Sequence, residues 1–308
     1  MSNEVLVFGA TGQQGGSVAA ALLQAGWRVR ALVRNLGSAQ ASALSDAGVA
    51  LIQGGFADGD AMQRAMQGVH AVFSVQPSSG QGAELGLSDE DEERFGIAIA
   101  DLAVRSGVQH LVYSSTGAVS SGPTGMGHFD SKLRIENHIR TLPITATIVR
   151  PAAFMEMLLM PGFGLDQGQF HFFMRPEQAM QFIAVQDIGA IVAAVLADPA
   201  RFGGTTFEIA SASASGADLQ ALFTQAAGRS VTYARFSDEV LAENTFLRRL
   251  AELVDAGPLV GQADLATLRQ IHPGLQTFES WLGGRGRDAF EKALGTPGAW
   301  AYGKADGK

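Results

Sequence analysis

Three observations predict an α/β fold: short apolar strands alternate with helices over residues 4–149, glycines stand at 9, 12 and 15 between the first strand and the first helix, and the sequence turns Phe-, Met- and Gly-rich after residue 152. Short apolar strands separated by helices belong to a parallel sheet whose strands are buried on both faces. A glycine-punctuated turn from strand to helix is the mark of a dinucleotide-binding sheet. The expectation is a doubly wound parallel Rossmann sheet with a smaller, mostly helical C-terminal substrate domain.

Glu4-Val5-Leu6-Val7-Phe8 reads as the first strand, and residues 17–25, rich in Ala and Leu, as a helix closed by Gly26. Residues 27–33, 49–53 and 69–75 read as the next three strands. Residues 94–106 form a helix with Phe95, Ile97, Ile99, Leu102 and Ala103 apolar, ended by Gly107. Residues 108–114 and 144–149 supply the fifth and sixth strands. Asp187-Ile188-Gly189 opens a helix to about Ala197, and residues 206–209 read as a further sheet strand. A helix over 218–227, a strand near Val231 and helical patterns to about Leu294 follow. The Gly-, Pro- and Lys-containing tail, 295–308, is expected to be mobile. These readings place the first domain at 1–152, with 179–210 returning to its sheet, and a substrate-binding region at 153–178 and 211–308.

The 308 residues suit one large or two smaller domains, and at 46% hydrophobic and 17% charged they can bury a sizeable core. The absence of cysteine excludes disulfides, thiolate zinc sites and cysteine nucleophiles. Met1-Ser2-Asn3-Glu4 leads straight into a strand pattern with no charged, apolar leader, and no apolar run is long enough to span a bilayer. A cytoplasmic protein without membrane partners is expected. A net charge of −8 argues against direct nucleic-acid binding, which needs clustered Lys and Arg. No G-x-S-x-G elbow appears, which removes the α/β-hydrolase nucleophile, and the six histidines show no metal-ligand spacing. His110 and His138 read as structural.

In the G-x-x-G-x-x-G loop of Gly9, Gly12 and Gly15, one glycine permits the tight turn, one lets backbone approach a pyrophosphate, and one lets helix and strand pack closely. The pyrophosphate then faces the free N–H groups of the helix start. Arg34 follows the second strand where an acidic residue would bind the ribose 2′-OH of NAD. A guanidinium there suits the 2′-phosphate of NADP instead. Arg30, within the strand, is a second candidate.

The chain resembles the NmrA-like family of atypical short-chain dehydrogenases. The resemblance rests on Gly9-Ala10-Thr11-Gly12-Gln13-Gln14-Gly15-Gly16, Val29-Arg30-Ala31-Leu32-Val33-Arg34-Asn35, His128-Phe129-Asp130-Ser131-Lys132 and Arg150-Pro151-Ala152-Ala153-Phe154-Met155-Glu156. The Asp187-Ile188-Gly189 helix start and the segment from His272-Pro273-Gly274 to Trp281-Leu282 extend it. The family implies NADP(H) as cofactor, held by Gly9, Thr11, Gly12, Gln13 and Gln14 in the loop, with Arg34 on the 2′-phosphate and Phe154 also at the cofactor. Family members carry Gly-Asp after the third strand. Here the pair is Gly54-Gly55, which leaves only backbone contact from Gly55 and Phe56. Met157 stands where the family tends to have Asn.

Short-chain dehydrogenases use Tyr-x-x-x-Lys, whose spacing puts both side chains on one helix face. Lys132 is present, but His128 stands in the tyrosine position. The resemblance makes Lys132 a ligand of the cofactor ribose and, as in some reductases of the group, a catalytic residue. His128 is either a proton-transfer group, as an imidazole can be, or a helix-start residue that packs. Ser114, Ser115 and Thr116 end the fifth strand, where one hydroxyl could polarise a substrate carbonyl or simply bond within a loop. Residues 154–174 concentrate Phe and Met, either as an adaptable surface for a small apolar substrate or as ordinary core. Gly162, Gly164 and Gly168 would give that segment the hinge freedom of a lid. Two functions follow. One is an NADPH-dependent reductase of a small apolar carbonyl, enone or quinone. The other is a non-catalytic NADP(H) redox sensor acting through a regulatory protein partner.

Overall fold

The computed structural model describes residues 3–81 and 86–296; most of the tail expected to be mobile lies outside them. The chain divides into two compact units. The first comprises Met1–Pro151, Val185–Glu208 and Gln270–His272, and the second comprises Ala152–Ala184, Ile209–Arg269 and Pro273–Lys308.

The first unit opens as alternating strand and helix: β1 (Glu4–Val7), α1 (Gln13–Gln24), β2 (Arg28–Val33), α2 (Ala39–Asp46), β3 (Ala50–Gln53), α3 (Gly59–Met66), β4 (Ala71–Ser74), α4 (Asp89–Arg105), β5 (His110–Ser114), α5 (Gly127–Ile139) and β6 (Ala146–Pro151). Farther along the chain, α6 (Val185–Ala197), α7 (Pro199–Phe202) and β10 (Thr206–Ile209) complete it. The sheet runs β10-β6-β5-β4-β1-β2-β3, with β1 through β6 parallel throughout. The chain order reverses between β1 and β4, and in such sheets ligands bind outside the carboxyl ends of the strands at that point.

Val5, Leu6, Val7, Val72, Phe73, Leu111 and Val112 have no exposed surface, as strands covered on both faces require. Successive side chains alternate between the faces. Leu6, Val72, Leu111, Tyr113 and Ile148 enter one core with Met62 and Met66 of α3, Ile99 and Leu102 of α4, and Ile135 and Ile139 of α5. On the other face α1 lies against α6.

The second unit contains β7 (Ala153–Phe154), β8 (Gln169–Phe172), β9 (Ala179–Ile183), β11 (Ala212–Ser215), α8 (Gly216–Ala227), β12 (Thr232–Arg235), α9 (Asp238–Glu243), α10 (Thr245–Ala256), most of α11 (Leu265–Ile271), α12 (Phe278–Gly283) and α13 (Arg287–Gly295). It is helical in its later part, but it also holds a three-stranded sheet, β11-β9-β7, and a pair, β12-β8. Val185–Glu208 belongs to the first unit. Residues 179–183 stay in the second unit because Phe182 finds Phe172 and Phe278 there, at ring distances of 6.4 and 5.5 Å.

Candidate functional site

The glycine loop has the geometry its spacing predicts. Gly9 adopts φ +67, a left-handed conformation that side chains disfavour. A Cβ on Gly15 would stand 2.3 Å from the Gly9 carbonyl oxygen, so only glycine lets α1 cross β1 this closely. Gly12 is the N-cap of α1, extended and without a side-chain cap, and the first turn has no acidic residue. A Cβ on Gly12 would meet only the Gly9 oxygen, at 3.4 Å. Thr11, Gly12 and Gln13 are exposed around it. The helix start thus presents uncapped N–H groups and the positive end of its dipole to open space, which fits an anionic group. Gln14 is engaged otherwise: its Oε1 accepts from Ser114 Oγ at 2.7 Å.

Arg34 is exposed just past β2, and its guanidinium has no hydrogen-bond or ion-pair partner among the described residues. Its stem passes Gly55, where a Cβ would lie 3.6 Å from Arg34 Cγ. The bare Gly55 leaves the guanidinium without a carboxylate beside it. Phe56 is half-buried between Phe8 and Phe95, with ring centroids 5.8 and 5.6 Å away. Arg30 is not a second phosphate candidate. Its guanidinium is spent on Glu4 Oε2 at 3.0 Å and on the carbonyls of Ala65 and Gln67 at 2.8 and 3.0 Å.

The three hydroxyls after β5 separate by role. Thr116 accepts from the Ala118 N–H and caps a short 3₁₀ turn. Ser114 donates to Gln14. Ser115 is 4% exposed, and its Oγ is buried without a partner.

On α5, Lys132 forms an ion pair with Glu92 of α4, whose carboxylate is 1% exposed. Lys132 Nζ also reaches the His128 carbonyl at 3.1 Å and Ser78 Oγ at 3.3 Å. Ser78 and Ser131 donate to the other Glu92 oxygen at 2.8 and 3.2 Å. The His128 ring lies 4.0 Å from Phe129, and a Cβ on Gly80 would come within 2.7 Å of it. Burial, and then the Lys132 charge, lower the His128 pKa to about 4. At pH 7 its imidazole is neutral: it can accept a proton, and its one remaining N–H lacks the acidity of an imidazolium. Nor does a tyrosine replace the missing acid within the first unit, because burial, followed by the Glu92 and Glu136 charges, drives the Tyr113 phenol well above its ordinary range. The other two histidines on this unit's α4–β5–α5 layer are structural: His110 Nε2 meets Thr147 Oγ1 at 2.8 Å, and His138 Nε2 meets Asp101 at 2.7 Å.

The model of the NmrA-like family matches residues 1–266. The chain belongs to the NmrA-like family. An NmrA-like family domain-containing oxidoreductase, cpsB of Aspergillus campestris, is 31% identical over 256 residues, covering 75% of each chain. NmrA, a negative transcriptional regulator solved in complex with NADP, superposes with TM-score 0.72 at 22% identity over 94% of this chain and 97% of its own. The triphenylmethane reductase of Citrobacter sp., solved with NADP(H), gives TM-score 0.74 at 20% identity over 94% and 100%. At these identities the two structures speak for the fold.

Within the first unit, this NmrA-like chain sets the loop, Arg34 and Gly55 at the ends of β1, β2 and β3, and gathers Ser78, Glu92, His128 and Lys132 between β4, α4 and α5. Phe154 lies in the second unit, paired with Ile183 across β7 and β9. Most of the Phe and Met of the 154–174 segment are core of that unit: Met155, Phe163, Phe170, Phe172, Phe173 and Met174 are buried. Phe154 and Met160 are half-buried, and Met157 is 39% exposed. Sequence reasoning missed Glu92. It stands three residues before Phe95 and seven before Ile99, on the buried stripe of α4, and that spacing is the signal that could have found it. Among the described residues no cluster of His, Asp or Glu could hold a metal, and no helix is long and apolar enough to cross a membrane.

Proposed function

We infer that this NmrA-like chain binds NADP(H) and uses NADPH to reduce a small apolar carbonyl, enone or quinone. The observation that carries the cofactor is the pairing of an uncapped, acid-free start of α1 with an unpartnered Arg34 guanidinium beside Gly55. The first suits the pyrophosphate and the second suits a 2′-phosphate. Gly9, Thr11, Gly12 and Gln13 would line the pyrophosphate, with Gln14 bracing the loop to β5. Backbone at Gly55 and Phe56 would face the adenine side, and Lys132 would hold the nicotinamide ribose. The cofactor, when bound, would supply a hydride. Lys132 would orient its ribose, and water would deliver the proton, since His128 is not an imidazolium acid at pH 7. Relatives named oxidoreductases, and the likeness to a reductase solved with NADP(H), support this reading.

A second reading is favoured by Lys132 itself, whose donors are all engaged within the protein, and by the lack of a tyrosine acid. It is a non-catalytic NADP(H) sensor that acts through a protein partner, as befits a fold shared with a transcriptional regulator. Purified protein given NADPH with a panel of quinones and enones, followed at the nicotinamide absorbance band, separates the two. Turnover abolished by Lys132→Ala is expected of the enzyme. Tight NADPH binding with no turnover on any acceptor makes it the sensor.

A further inference from the structure

Three acceptors surround Lys132 Nζ: Glu92 Oε1, the His128 carbonyl and Ser78 Oγ. An ammonium has three N–H donors, so each is committed. The acceptors differ in kind. The His128 carbonyl is fixed by α5 one turn before Lys132. Glu92 is fixed by the core: its neighbours on the same face, Phe95 and Ile99, are buried, and its second oxygen is occupied by Ser78 and Ser131. Ser78 is the longest contact, at 3.3 Å, and sits on the connection from β4 to α4. That connection leaves the carboxyl end of β4, beside the reversal in strand order where ligands bind.

We propose that Glu92 is a positioning residue of the cofactor site: it holds the Lys132 ammonium in place through a buried ion pair, and Ser78 Oγ is the acceptor that a ribose hydroxyl replaces. The proposal rests on the reading of Lys132 as the ribose ligand. A lysine side chain is long and flexible, and ordering it for one contact costs conformational freedom. A charge-assisted bond from a carboxylate that cannot itself move meets that cost before the cofactor arrives, which is how preorganisation raises affinity. Ser78 can yield its place because it donates to Glu92 Oε2 independently. Glu92 touches no ligand and acts only through Lys132.

The test compares two ligands on the full chain by calorimetry: NADPH, and adenosine 2′,5′-bisphosphate, which has the adenine end and 2′-phosphate but no nicotinamide ribose. Glu92→Gln and Lys132→Ala are each expected to weaken NADPH by about tenfold, the loss of one charged hydrogen bond. Both are expected to leave adenosine 2′,5′-bisphosphate within about twofold. The double variant should be no weaker than Lys132→Ala alone, because the two residues act as one unit. If Lys132→Ala leaves NADPH unchanged, the ribose reading of Lys132 falls. If Lys132→Ala weakens NADPH but Glu92→Gln does not, or tightens it, the positioning role of Glu92 falls and that reading stands. Should Glu92→Gln lose both ligands, Glu92→Asp is read by the same criteria, and loss of both ligands there as well makes Glu92 a folding residue and overturns the proposal.

Discussion

Gln14 and Ser114, a hundred positions apart in the chain, are joined by a 2.7 Å hydrogen bond from Ser114 Oγ to Gln14 Oε1. The bond ties the first turn of α1 to the carboxyl end of β5. The loop is therefore braced by the sheet, through a residue that the sequence offers as a ligand contact.

Gln14→Ala leaves the Ser114 hydroxyl, 2% exposed, without its acceptor. An unsatisfied buried donor costs about 1–3 kcal/mol. Urea unfolding should show a loss of stability of that size, with Ser114→Ala less severe because it removes the donor as well.

Glu136 is fully buried and is held by Arg150, whose Nε and Nη2 lie 2.9 and 2.7 Å from its two oxygens, with Arg140 at 2.6 Å. Arg150→Met strands much of that charge and should destabilise by about 3 kcal/mol, near the low end for a broken buried pair because Arg140 remains. Adding Glu136→Leu should restore most of the loss in the same denaturation assay.

His110 is 1% exposed, and burial lowers its pKa to about 4. An unfolded histidine titrates near about 6.5, so the unfolded chain gains a proton first as pH falls. The neutral folded imidazole therefore costs nothing at pH 7 and progressively more as pH drops from 6.5 towards 4. At pH 5 the cost is about 2 kcal/mol. His110→Gln should shrink the stability lost between pH 7 and pH 5 by that amount, measured by thermal or denaturant unfolding at the two pH values.

The sheet was legible because buried parallel strands are short, apolar and bounded by glycines, as at Val5–Val7 and Gly9. The place of Arg34 at the end of the second strand was legible, since the motif assigns one position there to the ribose-binding residue. Residues 154–174 were not, because Phe170 and Phe172 would read alike whether they faced a substrate or, as here, Phe163 and Phe223. Arg30 could not be told from Arg34 without knowing that Glu4, Ala65 and Gln67 converge on it. Glu92 was hidden in the acidic first turn of α4, Asp89-Glu90-Asp91-Glu92, where any carboxylate complements the helix dipole. Its spacing from Phe95 and Ile99 puts it on the buried stripe, but only the structure shows which partner it meets there.

Whether Arg34 selects the 2′-phosphate is read from the affinity of Arg34→Glu for NADPH and NADH, titrated side by side at one ionic strength. Losing charge-assisted bonds and gaining a repelling carboxylate should weaken NADPH by about a hundredfold, while NADH changes by no more than about threefold. Equal losses for the two cofactors would contradict the assignment and leave the exposed guanidinium without a part in binding.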